Sequence, residues 1–204
     1  MGIKIAVLAS GRGSNFQSIL DAIERETCDA EAKLLISDKP DAPAIERAKK
    51  RDIPVEIVER KDFDSRESMD ERILELLKQY GVELAVLAGY MRIIRGKKLL
   101  EEYINRIINI HPALLPSFPG MDAQKQAFEY GVKVSGATVH FVDASLDAGP
   151  IILQKAVDIS ECRNADEVQE KIIKIEHEIY PRAVDMFAKG KFKIKGRRAT
   201  YEGD

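Results

Sequence analysis

The sequence predicts an α/β fold: an open, mostly parallel twisted sheet with helices on both faces and antiparallel additions in the C-terminal part. Three observations carry this expectation. Short β-rich runs alternate with amphipathic helical stretches over the first hundred residues. The β-rich runs are mostly apolar, as expected of strands buried on both faces. A glycine-containing loop, Gly11-Arg12-Gly13, joins the first run to the first helical stretch.

The elements follow in order. Lys4–Ala9, Lys33–Ile36, Val55–Val58, Leu84–Leu87 and Ile107–Ile110 read as buried strands. Between them, Phe16–Glu26, Ala42–Arg51 and Ser65–Tyr80 read as helices, and the last carries Met69, Ile73, Leu76, Leu77 and Tyr80 on one face. Strand–helix–strand repetition implies right-handed crossovers and a parallel sheet. After His111 the pattern changes to a proline-containing loop, Pro112–Pro119, and a short helix near Asp122–Tyr130. Two strands, Val134–Val142 and Pro150–Val157, a long helix over Ala165–Lys189 and a terminal hairpin complete the chain. No repeat, low-complexity segment or linker separates the halves.

A length of 204 residues suits one compact unit at ~150 residues per domain, and 45% apolar residues suffice for a core. The 32 basic and 34 acidic residues give a net charge of −2, which argues against nonspecific nucleic-acid binding, a task needing positive excess. Cys28 and Cys162 lie far apart without CxxC spacing, so neither a disulfide scaffold nor a cysteine zinc site is supported. Three scattered histidines give no metal-ligand spacing either. The longest uncharged apolar stretch, Leu84 to Met91, falls far short of the ~20 residues of a membrane span. With no signal peptide or myristoylation pattern visible, the expected location is cytoplasmic.

The run Ala9-Ser10-Gly11-Arg12-Gly13-Ser14-Asn15 is a candidate anion cradle. Glycines let the backbone approach a phosphate, the N-terminal N–H groups of the following helix point at it, and Ser14 and Asn15 can donate further bonds. The alternative is a tight turn with no ligand. Phe16 stands where the dinucleotide fingerprint needs Gly or Ala, and the Walker pattern is absent. Asp38, after the second strand, keeps a nicotinamide reading open as an imitation of a ribose-binding acid.

Ile107-Ile108-Asn109-Ile110-His111-Pro112 brings a buried strand to its carboxyl end, where ligands bind in open α/β sheets. Alternation places Asn109 and His111 on the same side. An amide donor beside an imidazole suits acyl transfer, since the pair can stabilise an oxyanion and move a proton. A turn histidine with a strand-end amide is the alternative. The later loop Asp143-Ala144-Ser145-Leu146-Asp147-Ala148-Gly149-Pro150 offers carboxylates, and one close to His111 would favour the imidazolium and raise its pKa.

Together, Gly13-Ser14-Asn15, Leu87-Ala88-Gly89-Tyr90-Met91-Arg92-Ile93-Ile94, Asn109-Ile110-His111-Pro112-Ala113-Leu114-Leu115-Pro116 and Asp147-Ala148-Gly149-Pro150 resemble the folate-dependent formyltransferase family over residues 3–188. The Gly-Ser-Asn loop narrows the resemblance to the branch that formylates the glycyl amine of 5'-phosphoribosylglycinamide in purine biosynthesis. The resemblance implies a Rossmann-like formyltransferase fold as one domain over residues 1–204, with a phosphate-binding half at 1–104 and a catalytic, folate-binding half at 105–204. It further implies that Asn109, His111 and Asp147 form the catalytic trio. Gly13, Ser14 and Asn15 would hold the ribose phosphate and Glu176 would accept from ribose hydroxyls. Arg66, Met91, Arg92, Ile93, Ile94 and Asn109 would contact 10-formyltetrahydrofolate. No metal is implied, partners are small molecules without nucleic acid or membrane, and the state is monomer or homodimer.

One departure is Asp122 in Gly120-Met121-Asp122-Ala123-Gln124, where some relatives carry histidine, so no role is assigned to that position. Relatives that formylate initiator methionyl-tRNA carry a further C-terminal domain, and relatives that hydrolyse formyl-folate carry an additional N-terminal regulatory domain. Neither extension is expected here. From other classes, a nicotinamide oxidoreductase and a catalytically silent nucleotide-binding module remain as alternatives.

His140, in Val139-His140-Phe141-Val142, reads as a hydrogen-bonded structural histidine pointing away from the face of Ala137, Val139 and Phe141. His177, flanked by carboxylates, reads as support for the helix near Glu176. The basic tail Lys189, Lys191, Lys193, Lys195, Arg197, Arg198 alternates with Phe192 and Ile194, the pattern of an edge strand kept from aggregating by charge, rather than an RNA-binding segment.

Overall fold

Ile5, Ala6, Val7 and Leu8 have no exposed surface, so β1 (Ile3–Leu8) is covered on both faces. Each large aliphatic buried in this way stabilises the fold by about 1.5–3 kcal/mol. The computed structural model describes residues 2–203. It divides the chain into two compact units, one ending at Ile108 and the other starting at Asn109. The change of unit falls inside β5 (Ile107–His111), beyond the 104/105 division expected from sequence.

In the first unit, β1 pairs in parallel with β2 (Ala30–Ser37) and β4 (Leu84–Leu87), and β2 pairs in parallel with β3 (Val55–Ile57). The order β3-β2-β1-β4 leaves the carboxyl ends of β1 and β4 side by side, and the loops that follow them are joined. Ser10 N donates to Gly89 O (3.1 Å) and Met91 N donates to Ser10 Oγ (2.8 Å). Helices α1 (Ser14–Glu24), α2 (Ala44–Lys49) and α3 (Arg66–Gln79) fill the crossovers. A reciprocal capping box starts α3: Ser65 Oγ accepts from Ser68 N at 3.0 Å, and Ser68 Oγ accepts from Ser65 N at 3.2 Å. The apolar stripe of α3 is buried as its spacing predicts, with Met69, Ile73, Leu76 and Leu77 inside.

Two pieces were not anticipated. Arg60–Asp62 forms a single 3₁₀ turn, and Lys97–Glu102 forms α4, a six-residue helix. In α4 only Leu99 is buried, so there is no apolar repeat for a sequence reading to detect.

In the second unit, β6 (Val134–Phe141) pairs antiparallel with β7 (Ile151–Asp158). β9 (Arg198–Glu202) lies between β7 and β8 (Lys191–Lys195), giving the order β6-β7-β9-β8. The basic tail is thus an edge hairpin, with its lysines exposed and Phe192 and Ile194 half-buried. Helix α5 (Ala123–Tyr130) packs on α6 (Ala165–Lys189), which lies against β6 and β7. Asn164 caps α6 by accepting from Glu167 N at 2.9 Å.

The loop between β6 and β7 returns tightly at Gly149. A Cβ there would stand 1.8 Å from Phe141 O, so only glycine fits.

Candidate active site

The first unit supplies a loop with the shape of an anion cradle. Gly13 is the N-cap of α1 with φ +67°, and a Cβ on it would meet Ala44 Cβ at 2.8 Å. Both backbone and space therefore call for glycine. The loop is fastened from α2: Ala44 N donates to Gly11 O (3.1 Å) and Arg47 Nε donates to Arg12 O (2.9 Å). No side chain caps α1, so its first-turn N–H groups and positive dipole end are presented at Ser14 and Asn15. Asn15 is buried and Ser14 half-buried.

Along the loop after β4, Met91, Arg92 and Ile93 are exposed whereas Ile94 is buried. The far end is pinned by the buried Asp70 of α3, whose Oδ2 accepts from Arg95 N (2.8 Å) and Gly96 N (2.6 Å). Burial raises the Asp70 carboxyl above the usual carboxylate range, against the lowering effect of these two N–H groups. Arg66, the first residue of α3, is exposed.

Asp38 does not imitate a ribose acid. Its side chain has no exposure, and Oδ2 accepts from Arg92 Nε at 2.6 Å. Nearby Tyr90 is largely buried, and this burial, with Asp38 and Asp70 close, pushes its phenol well above the usual range.

The second unit brings Asn109, His111 and Asp147 into one cluster. His111, at the end of β5, is 3% exposed. Its Nε2 lies 2.7 Å from Phe118 O, and because a carbonyl only accepts, Nε2 carries hydrogen and donates. Its Nδ1 faces Asp147 Oδ2 at 3.5 Å, an ion-pair contact when the ring is charged. Asp147 holds a left-handed backbone (φ +47°), and Oδ2 also accepts from Gly120 N at 2.8 Å. The proline-containing loop and the β6–β7 loop are therefore tied through the one carboxylate.

Asn109 joins through a residue read from sequence as merely structural. Its Nδ2 lies 3.3 Å from His140 Nε2, and that nitrogen is 3.8 Å from Asp147 Oδ1. His140 Nδ1 lies 2.9 Å from Phe141 O. Burial pulls the His140 pKa below the ordinary histidine value; the Phe141 carbonyl and the charges of Asp147 and Asp143 oppose the shift. Thr138, two residues earlier on β6, holds the same loop. Its hydroxyl donates to Ala113 O (2.7 Å) and accepts from Leu115 N (3.0 Å), while Gln154 Nε2 donates to Leu115 O (2.8 Å). The signal for both residues is a pair of polar side chains two apart in the otherwise apolar stretch from Ala137 to Phe141.

Glu176 is buried on α6, where its charge helps to raise the pKa of the fully buried Tyr180, already high through burial. Asp122 is exposed at the N-cap of α5 with φ +56° and makes no side-chain cap. No cluster of three potential metal ligands occurs among the described residues, and no helix among them is long and apolar enough to cross a membrane.

Within the second unit, an amide and an imidazole N–H gathered with a carboxylate are groups suited to chemistry at an acyl carbon. Known proteins point the same way. The chain is 49% identical over 181 residues to phosphoribosylglycinamide formyltransferase of Bacillus subtilis, covering 89% of this chain and 92% of that protein. It is 43% identical to the trifunctional purine biosynthetic protein adenosine-3 of Drosophila melanogaster over 92% of this chain, a match that spans 14% of that longer protein. The crystal structure of glycinamide ribonucleotide transformylase 1 from Symbiobacterium toebii superposes with a TM-score of 0.95 at 46% identity, covering 98% of this chain and 94% of that one. Residues 3–184 match the model of the formyl transferase family, and with relatives this similar along nearly the whole chain, the protein belongs to that family.

Proposed function

We propose that the protein transfers the formyl group of 10-formyltetrahydrofolate to the glycyl amine of 5'-phosphoribosylglycinamide, giving 5'-phosphoribosyl-N-formylglycinamide and tetrahydrofolate. The observation that carries the reading is the cluster of Asn109, His111 and Asp147 in a chain with the family's formyltransferase fold.

In the proposed reaction the amine nitrogen attacks the formyl carbon and the carbonyl oxygen becomes an oxyanion. Asn109 Nδ2–H and an N–H of protonated His111 stabilise that oxygen. The C–N10 bond then breaks, N10 takes up a proton and the attacking nitrogen loses one. Asp147 faces His111 Nδ1, stabilises the positive ring and assists this proton movement. Gly13, Ser14 and Asn15 hold the ribose phosphate, and Glu176 accepts from ribose hydroxyls. Arg66, Met91, Arg92 and Ile93, with Ile94 through its backbone, receive the folate. No step calls for a metal.

The test is to mix the protein with 10-formyltetrahydrofolate and phosphoribosylglycinamide and follow the formylated product by mass spectrometry. Product formation supports the reading, and its absence with both substrates bound refutes it. The burial of Asp38 against Arg92 leaves a nicotinamide reading without its ribose contact.

A further inference from the structure

His140 is 2% exposed, and both of its ring nitrogens have partners that dictate where the proton sits. Phe141 O, 2.9 Å from Nδ1, can only accept, so Nδ1 must carry hydrogen. Asn109 Nδ2, 3.3 Å from Nε2, has only hydrogens to offer, so Nε2 must be bare. One neutral tautomer satisfies both contacts. Burial favours it, with the His111 charge acting in the same direction; Asp147, Asp143 and the Phe141 carbonyl favour the charged ring. A charged ring would turn an N–H against the amide and toward Asp147 Oδ1, 3.8 Å away.

We infer that His140 is a positioning residue for formyl transfer: its Nε2 lone pair takes one hydrogen of the Asn109 carboxamide, fixes which way the amide faces, and leaves the second N–H for the formyl oxygen. Without this contact the amide can rotate and present its own oxygen to the developing oxyanion. The inference rests on the proposed function. Gly149 belongs to the same arrangement, because it keeps the Phe141 carbonyl clear for His140.

Two substitutions separate positioning from packing. His140→Asn keeps an N–H for Phe141 O but ends short of Asn109, whereas His140→Gln carries an acceptor out to the position of Nε2. We expect His140→Asn to lower kcat by about 10- to 100-fold, the scale of a small misplacement of a reacting group, with KM for both substrates within about twofold. His140→Gln restores most of the rate. In an Asn109→Ala background His140→Asn costs nothing further, since the two act as one unit. Equal losses in Asn and Gln variants, an unchanged rate in the Asn variant, or full additivity with Asn109→Ala would overturn the inference. ¹⁵N spectra of the histidine rings in the substrate-free protein give an activity-independent readout. A bare Nε2 and protonated Nδ1 at neutral pH are expected, and the opposite tautomer or a charged ring contradicts the inference even if formyl transfer is observed. Absence of transfer by the wild type with this tautomer present would count against the proposed function instead.

Discussion

Asp147 Oδ2 stands 3.5 Å from His111 Nδ1 while accepting the Gly120 N–H at 2.8 Å, so one oxygen faces the imidazole proposed to act in the reaction and also holds the backbone at Gly120. These two tasks can be separated. Asp147→Asn retains a carbonyl oxygen for Gly120 but removes the charge opposite His111. The expected result is a kcat lower by about 10²–10³-fold, within the usual range for acid–base groups, with a melting temperature close to wild type. Steady-state kinetics and thermal unfolding check this, and a large loss of stability with little loss of rate would make the loop tie the main role.

Gly13→Ala tests the phosphate loop. The new methyl would meet Ala44 Cβ at 2.8 Å at a φ of +67°, so either the loop or α2 must shift. The KM for phosphoribosylglycinamide should rise by at least about tenfold, the equivalent of about 1.4 kcal/mol, while the KM for the folate stays within about twofold. Equal changes in both would point to general unfolding.

Gly149→Ala tests the tight return into β7. With a Cβ 1.8 Å from Phe141 O, the strand end must move, and overpacking of this kind costs about 1–3 kcal/mol. Denaturant unfolding measures the loss, and a variant as stable as wild type would contradict the contact.

His140 makes stability depend on pH with a definite sign. Its folded pKa lies below the ordinary value of 6.5, so as acidity rises the unfolded chain takes up the proton first. The stabilisation is fully present above about pH 6.5 and is lost as the pH falls toward the folded value. The stability of the wild type should therefore drop more steeply between about pH 6.5 and 5 than that of His140→Gln, which carries no titrating ring. Parallel curves for the two proteins in urea unfolding would show that His140 is not held neutral.

The elements that were legible in sequence were those with a strong period. β1 carries the unbroken apolar run Ile5–Leu8, α3 carries its stripe from Met69 to Leu77, and α6 runs over Ala165–Lys189 as expected. The strand pair His111 and Asn109 could be set on one side by alternation alone. The partnership of Asn109 with His140 could not, because it depends on which β6 residue lies beside β5, a relation that no single strand encodes. The choice of Asp147 over Asp143 came from the family resemblance, and the left-handed backbone that turns Asp147 inward has no signature in its own residue type. The helix α4 was missed because one buried leucine makes no pattern.

The proposed formyl transfer depends most directly on His111. Its ring, with Nε2–H held by Phe118 O in this structure, is the group proposed to stabilise the oxyanion and to take part in the proton movement. Single-turnover formyl transfer under saturating substrates, compared between wild type and His111→Ala, measures that role without interference from product release. The predicted result is transfer by the wild type and a rate lower by about 10²–10⁴-fold in the variant, with both substrates still bound. Transfer by His111→Ala at the wild-type rate would contradict it.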